Sequence, residues 1–174
     1  MNLAELKRLY PFDHHASGAW CIWLTQKDSD RGLKLYFRHG MDNKVFLGEK
    51  NLWLSTSFRT VSCWKFATER EISSLYDLSV KLYQQGLFPK PHKILKLADI
   101  TGIVFEKASR PPQKMYENKE NLIENYHMFE KILGTKLAEY KAALGRDNWG
   151  LINGKLVLID LDLRDLQQVE NESR

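Results

Sequence analysis

Cysteine is scarce. Cys21 and Cys63 are the only two in 174 residues, and no C-x-x-C pair occurs. This excludes a disulfide framework and the usual zinc-ligand spacings. Two free thiols in a reducing compartment are the plain expectation. Long apolar runs are missing too: no stretch approaches the roughly 20 residues that a membrane-crossing helix needs. The amphipathic run from Met1 to Tyr10 carries Lys7 and Arg8, and no apolar segment follows it, so no secretory leader is expected. The location these features imply is cytoplasmic. Glycine stops at 10 and proline at five, too few for a low-complexity or fibrous chain, and no internal repeat is visible. Neither sign of charge dominates. There are 26 Lys and Arg against 22 Asp and Glu, for a net charge of +4 and a pI near 9.0. Such mild basicity favours phosphate-bearing partners and falls short of a nucleic-acid footprint. Membrane attachment is not expected.

What is present is an ordinary globular composition, 43% hydrophobic and 28% charged, in one domain covering 1–174. Leu3, Leu6 and Leu9 recur at helical spacing, and Pro11 ends that helix. Trp20, Ile22 and Leu24 alternate as in a strand. Leu33 to Phe37 forms a second β-like run beyond a polar turn. Short strands are expected at Lys44–Leu47, Asn51–Ser55 and Thr60–Phe66. Thr68 with Glu71 three residues later is a capping box, opening a helix whose apolar stripe is Ile72, Leu75, Leu78 and Leu82. Gly86 closes it, and Pro89 and Pro91 forbid its resumption. Lys93–Leu97 and Gly102–Glu106 read as two strands, and Arg110-Pro111-Pro112 as a linker. A long helix is expected from Tyr116 to about Leu144. Asn153-Gly154 then marks a tight hairpin, whose second strand runs into Asp160.

The order of these elements, with the residues at their joints, resembles the protein-kinase-like superfamily. Ala16-Ser17-Gly18-Ala19-Trp20-Cys21-Ile22-Trp23 is similar to the glycine-rich loop G-x-G-x-x-G-x-V, with Gly18 as the one retained glycine and Trp23 at the valine position. Taken alone, this segment also reads as an ordinary hairpin with a glycine. Leu33-Lys34-Leu35 resembles the strand whose lysine holds nucleotide phosphates. The helix opened by Thr68 resembles the family's C-helix, which makes Glu71 the ion-pair partner of Lys34, with Lys65 as a rival lysine. Gly102 to Lys107 is similar to the hinge strand, placing Glu106 against the adenine edge. Asn148 and Asp160, twelve positions apart across the hairpin, resemble the catalytic-loop Asn and the metal-binding Asp of D-F-G; a plain hairpin with Asp160 as a cap is the other reading. Two hard oxygen ligands are what Mg²⁺ on a triphosphate requires. The resemblance therefore implies ATP and Mg²⁺ as cofactors. It also implies an α+β fold with a β-rich N-lobe over 1–109 and a truncated, mainly helical C-lobe over 110–174 that ends in a β-hairpin.

The pattern also departs from the family. Five residues before Asn148, where the catalytic Asp belongs, stands Ala143. Gly145-Arg146-Asp147 mimics the H-R-D triplet, leaving Asp147 as the substitute base. The remaining chain has no room for the activation segment or the substrate-binding helices. These departures favour a pseudokinase that binds a partner protein, of the kind a phage, mobile element or bacterial effector carries. An active minimal phosphotransferase is the first alternative and a basic nucleic-acid-binding domain the second. His14-His15 is set aside as a metal pair because neighbouring strand residues point to opposite faces.

Overall fold

A computed structural model describes residues 3–17, 21–37, 66–117, 127–128, 131 and 148–161. Its elements are α1 (Leu3–Leu9), β1 (His14–Ser17), β2 (Cys21–Thr25), β3 (Arg31–Tyr36), α2 (Glu69–Gln84), β4 (Pro91–Leu97), β5 (Ile100–Glu106), α3 (Lys114–Glu117), β6 (Trp149–Ile152) and β7 (Lys155–Leu158). The first five strands form one antiparallel sheet in the order β1-β2-β3-β5-β4, and β6-β7 is a separate hairpin. The fold is α+β. Among the described residues the five-stranded sheet is open, with β1 and β4 at its edges. No helix among them is long and apolar enough to cross a membrane.

Both faces of this sheet are covered, which explains the continuous apolar runs in β3 and β5. Strand alternation sends Ile22, Leu24, Leu33, Leu35 and Val104 to one face, where they bury with Leu6 of α1 and with Phe12. Tyr36, Ile103 and Phe105 bury on the opposite face against Ile72, Leu75, Leu78 and Leu82 of α2. Trp149, Leu156 and Leu158 of the hairpin join this second cluster. One apolar core thus spans the sheet, α2 and the hairpin, and it fixes how the hairpin meets the sheet.

Several local expectations hold. Thr68 caps α2: its side chain accepts from the Glu71 N–H, and the Glu71 carboxylate accepts from the Thr68 N–H at 2.8 Å. Lys96 of β4 pairs with Glu69 in the same first turn. Asn153 and Gly154 both take positive φ, 51° and 77°, as the two-residue turn between β6 and β7 demands. Thr68→Ala should lower stability by about 1 kcal/mol, measurable by urea unfolding. Strand β1 was not expected as a strand; His14 and His15 form it by pairing with Thr25 and Leu24. The strands expected at Lys44–Leu47 and Asn51–Ser55 lie outside the described residues, as does all of Thr60–Phe66 except Phe66, which bridges to Phe37. Most of the helix expected from Tyr116 to Leu144 lies outside them as well.

Candidate functional site

Backbone bonds tie the hairpin to the segment just past β5 and to Leu87 in the turn after α2, and one further bond extends the hairpin's own ladder. Ser109, just past β5, exchanges both hydrogen bonds with Leu151 at 3.0 and 2.8 Å. Leu158 N–H donates to the Leu87 carbonyl at 3.0 Å, and Ile159 N–H donates to the Asn148 carbonyl at 2.8 Å. The last bond sets Asn148 and Asp160 side by side at the open end of the hairpin. Between hairpin and sheet lies a cavity of about 380 Å³. Its sheet side is formed by Ala16, Cys21, Trp23, Lys34, Phe105 and Glu106, with Ala108 just past β5. Asn148, Ile159 and Asp160 close it from the hairpin, with Phe88 and Pro89 completing the lining.

Lys34 is the charged centre of this cavity. It stands on β3 opposite Trp23 of β2 and Ile103 of β5, and its side chain is only 7% exposed. Its ammonium donates to Asp160 Oδ1 at 3.0 Å, to the Ile159 carbonyl at 3.2 Å and to the Leu161 carbonyl at 3.4 Å. It also lies 5.3 Å from the centre of the Tyr36 ring. A buried ammonium without such partners would be costly. Burial alone pulls its pKa down; Cys21, Asp160 and Tyr36, with the hydrogen bond to Asp160, push it up, and the net direction is well above the ordinary 10.5. The thiol and the phenol act this way only where they are ionised, so at neutral pH the Asp160 carboxylate supplies the opposing charge.

That direction fixes a pH dependence. A lysine whose folded-state pKa is raised contributes stability that is fully present below its unfolded value and is lost as pH rises through the folded value. The stability difference between wild type and Lys34→Met should therefore stay constant between about pH 6 and pH 9, and change only above about 10.5. Urea unfolding of both proteins across this range measures it.

Compared with known proteins, the chain matches no family model, no curated sequence and no solved structure.

Of the residues singled out by sequence, Lys34, Glu106, Asn148 and Asp160 line this one cavity. Glu71 requires a correction. It is not among the partners of the Lys34 ammonium, which are Asp160 and the two carbonyls. Its carboxylate instead closes the capping box, accepting from both the N–H and the hydroxyl of Thr68 at 2.8 Å. The physical reason is position. Glu71 sits at the third residue of its helix, within reach of the cap, and Asp160 occupies the place beside Lys34. Gly18, Ala143, Asp147 and the rival Lys65 lie outside the described residues. Glu71→Gln, which keeps an acceptor for the Thr68 N–H, should change stability by less than about 1 kcal/mol and leave ligand binding at the cavity unchanged. Calorimetric titration beside urea unfolding checks both.

Sequence reasoning missed Gly32, Ala108 and Ile159. Strand alternation alone puts Gly32 on the same face as Lys34. Which strand lies beside β3, and in what register, is the additional fact needed to bring Trp23 over it. Among the described residues no group of three or more His, Cys, Asp or Glu side chains gathers as a metal site. Asn148 and Asp160 offer two hard oxygen donors, a set that suits Mg²⁺ only where a phosphate and water complete the shell.

Proposed function

We propose that this chain is a degenerate protein-kinase-like domain that holds a nucleotide with Mg²⁺ in the cavity between sheet and hairpin and acts by binding a partner protein. One observation carries the reading: a buried lysine from a sheet strand is paired with an Asp from a hairpin, and both line a largely apolar cavity together with Asn148 and Glu106. An apolar chamber that holds a cation and oxygen donors suits a ligand with a flat apolar body and a polyanionic tail. The strand order β1-β2-β3-β5-β4 with α2 packed on one face supports the same reading, as does the bridge from Ser109, just past β5, to Leu151 of the hairpin. In this proposal Lys34 contacts phosphate oxygens, and Asn148 and Asp160 hold the metal. Mg²⁺, when bound, would neutralise charge on the phosphates. The ion pair between Lys34 and Asp160 must loosen for both to reach the ligand.

The same reading makes phosphoryl transfer slow. Ala143 stands where a general base is needed, and loss of a positioned base typically costs about 10²–10⁴-fold in rate. A protein partner is then the target of binding rather than of chemistry. The second reading, an active minimal phosphotransferase, is favoured by Asp147, which directly precedes the cavity residue Asn148.

Thermal unfolding with and without ATP and Mg²⁺ tests the proposal. A ligand at about 100 times its Kd stabilises the folded state by about 2.7 kcal/mol, which for a chain of this size raises Tm by roughly 5–10 °C. No rise at saturating ATP and Mg²⁺ would sink the nucleotide reading. A radiolabelled-ATP assay on wild type and Asp160→Ala separates the two readings: transfer that disappears in the variant favours the enzyme, and binding without transfer favours the pseudokinase.

A further inference from the structure

Strand β4 forms one edge of the sheet among the described residues, and its backbone is only half used. The turn Ala98-Asp99 joins β4 to β5, with Ala98 at φ 53°. The pair that flanks such a turn, Leu97 and Ile100, exchanges its hydrogen bonds. Alternation then points the backbone of Leu95 and Lys93 inward, to Gly102 and Val104, and turns the N–H and C=O groups of Ile94 and Lys96 out of the sheet. Bonds at the far end of β5 agree. The Glu106 N–H donates to the Lys90 carbonyl at 2.9 Å, whereas the Lys107 N–H turns the other way, to the Asp30 carbonyl beside β3. The edge is already engaged at His92, whose carbonyl accepts from the Tyr76 hydroxyl at 3.5 Å. Side chains along the open stretch are exposed as well. Ile94 pairs with Ile103 and so lies on the face that α2 covers, yet it is 39% exposed. Lys93 is exposed on the opposite face. The stretch is basic: it carries Lys90, Lys93 and Lys96, and Asp99 is the one acid between Lys90 and Ile100. Glu69 pairs with Lys96, and no ion pair among the described residues includes Lys90 or Lys93.

We infer that the β4 edge is a docking surface for an extended acidic segment of a partner protein, which adds to the sheet as a further strand. The inference rests on the partner-binding half of the proposed function, not on the nucleotide, and it names the class of partner. The outward N–H and C=O groups at Ile94 and Lys96 give such a segment its main-chain pairing. Side-chain alternation sets its pattern: carboxylates opposite Lys93 on one face, apolar or β-branched side chains opposite Ile94 on the other. Charge argues against a second copy of this chain as the occupant. Two β4 strands side by side would set lysines against lysines, and edge lysines keep identical strands apart.

Calorimetric titration and hydrogen exchange with the end-blocked peptide Glu-Val-Glu-Thr-Glu-Val-Glu test this on the full chain. Two control peptides go beside it, one with lysine in place of every glutamate and one with the acidic sequence N-methylated throughout. The acidic peptide should bind wild type and slow exchange at the amides of Ile94 and Lys96. Those of Lys93, Leu95 and Leu97, already bonded to β5, should change little. The lysine peptide should not bind. N-methylation keeps every charge and side chain but removes the backbone donors, and should abolish binding. Lys93→Glu turns attraction into repulsion and should weaken the acidic peptide about two- to 30-fold. Ile94→Pro deletes an outward N–H and no ladder bond, and should weaken it about tenfold or more. Ile94→Thr keeps that N–H and should weaken it less. Thermal unfolding follows the fold of each variant. No binding of the acidic peptide to wild type overturns the inference, as does protection that misses Ile94 and Lys96. Equal binding of the N-methylated peptide also overturns it, because the edge would then recognise anions without pairing a strand. These outcomes leave the partner-binding reading standing on other surfaces. That reading fails instead if radiolabelled ATP gives transfer that disappears in Asp160→Ala.

Discussion

Trp149→Ala should lower the stability of the protein by about 3–5 kcal/mol, the range for truncating a large buried aromatic. Trp149 is 3% exposed and belongs to the cluster that joins the hairpin to Tyr36 and Phe105 of the sheet and to the stripe of α2. Its position makes the loss global. A tryptophan that only steadied a hairpin would affect the hairpin alone, whereas one shared by three elements weakens all of them together. Urea unfolding should show a single transition shifted to lower denaturant. Hydrogen exchange should show the amides of β3 losing protection along with those of β6 and β7. Faster exchange confined to the hairpin would mean that the hairpin and the sheet do not share a core. The cavity would then lack a rigid floor.

The second large effect concerns the ion pair at the cavity, where the two partners should behave in opposite ways. Asp160→Ala leaves the Lys34 ammonium buried with only the carbonyls of Ile159 and Leu161. Stranding one charge of a fully buried pair costs about 3–5 kcal/mol. Asp160 is 47% exposed, so water can enter in its place, and a loss of about 1–3 kcal/mol is expected. Lys34→Met removes the buried charge itself and keeps a side chain of similar shape. Asp160, half in water, loses little, and stability should stay within about 1 kcal/mol of wild type. Under the proposed function both variants lose affinity for ATP with Mg²⁺. The methionine variant removes a charge-assisted contact worth about 1.5–3 kcal/mol, or roughly 10- to 150-fold in Kd. Urea unfolding beside calorimetric titration measures both quantities. Equal destabilisation by the two substitutions would contradict the burial asymmetry on which this expectation stands. A stable Lys34→Met protein that binds ATP normally would remove Lys34 from the proposed site.

Much of the local structure was legible in the sequence because it rests on short-range physics. The helix from Glu69 to Gln84 was announced by Thr68 and Glu71 at its start and by leucines at helical spacing, all within one segment. The hairpin was announced by Asn153-Gly154, which accept positive φ at low cost. Of the residues singled out for the site, Lys34, Glu106, Asn148 and Asp160 line one cavity, Glu71 caps its helix, and Gly18 and Asp147 lie outside the described residues. The assignment that failed was the pairing of Lys34 with Glu71, a contact between distant segments. A glutamate three residues after a threonine at a helix start has two possible uses, to close the cap or to reach another element. The sequence signals both with the same residue. In the folded chain the cap is next to Glu71, and the carboxylate beside Lys34 comes from Asp160, 126 positions further along.

Read without the fold, the chain already specifies the helix from Glu69 to Gln84, its cap at Thr68, the turn at Asn153-Gly154 and the inventory of charged residues available to a site. These follow from backbone preferences and from hydrophobic periodicity, which act over a few residues. The tertiary structure decided the strand order β1-β2-β3-β5-β4, the seat of Trp23 on Gly32 and the partner of the buried lysine. Each of these depends on register between segments distant in sequence, and register is set by which apolar faces bury together. The common core of the sheet, α2 and the hairpin brings Asp160 to Lys34, and burial of the ammonium then makes that contact obligatory.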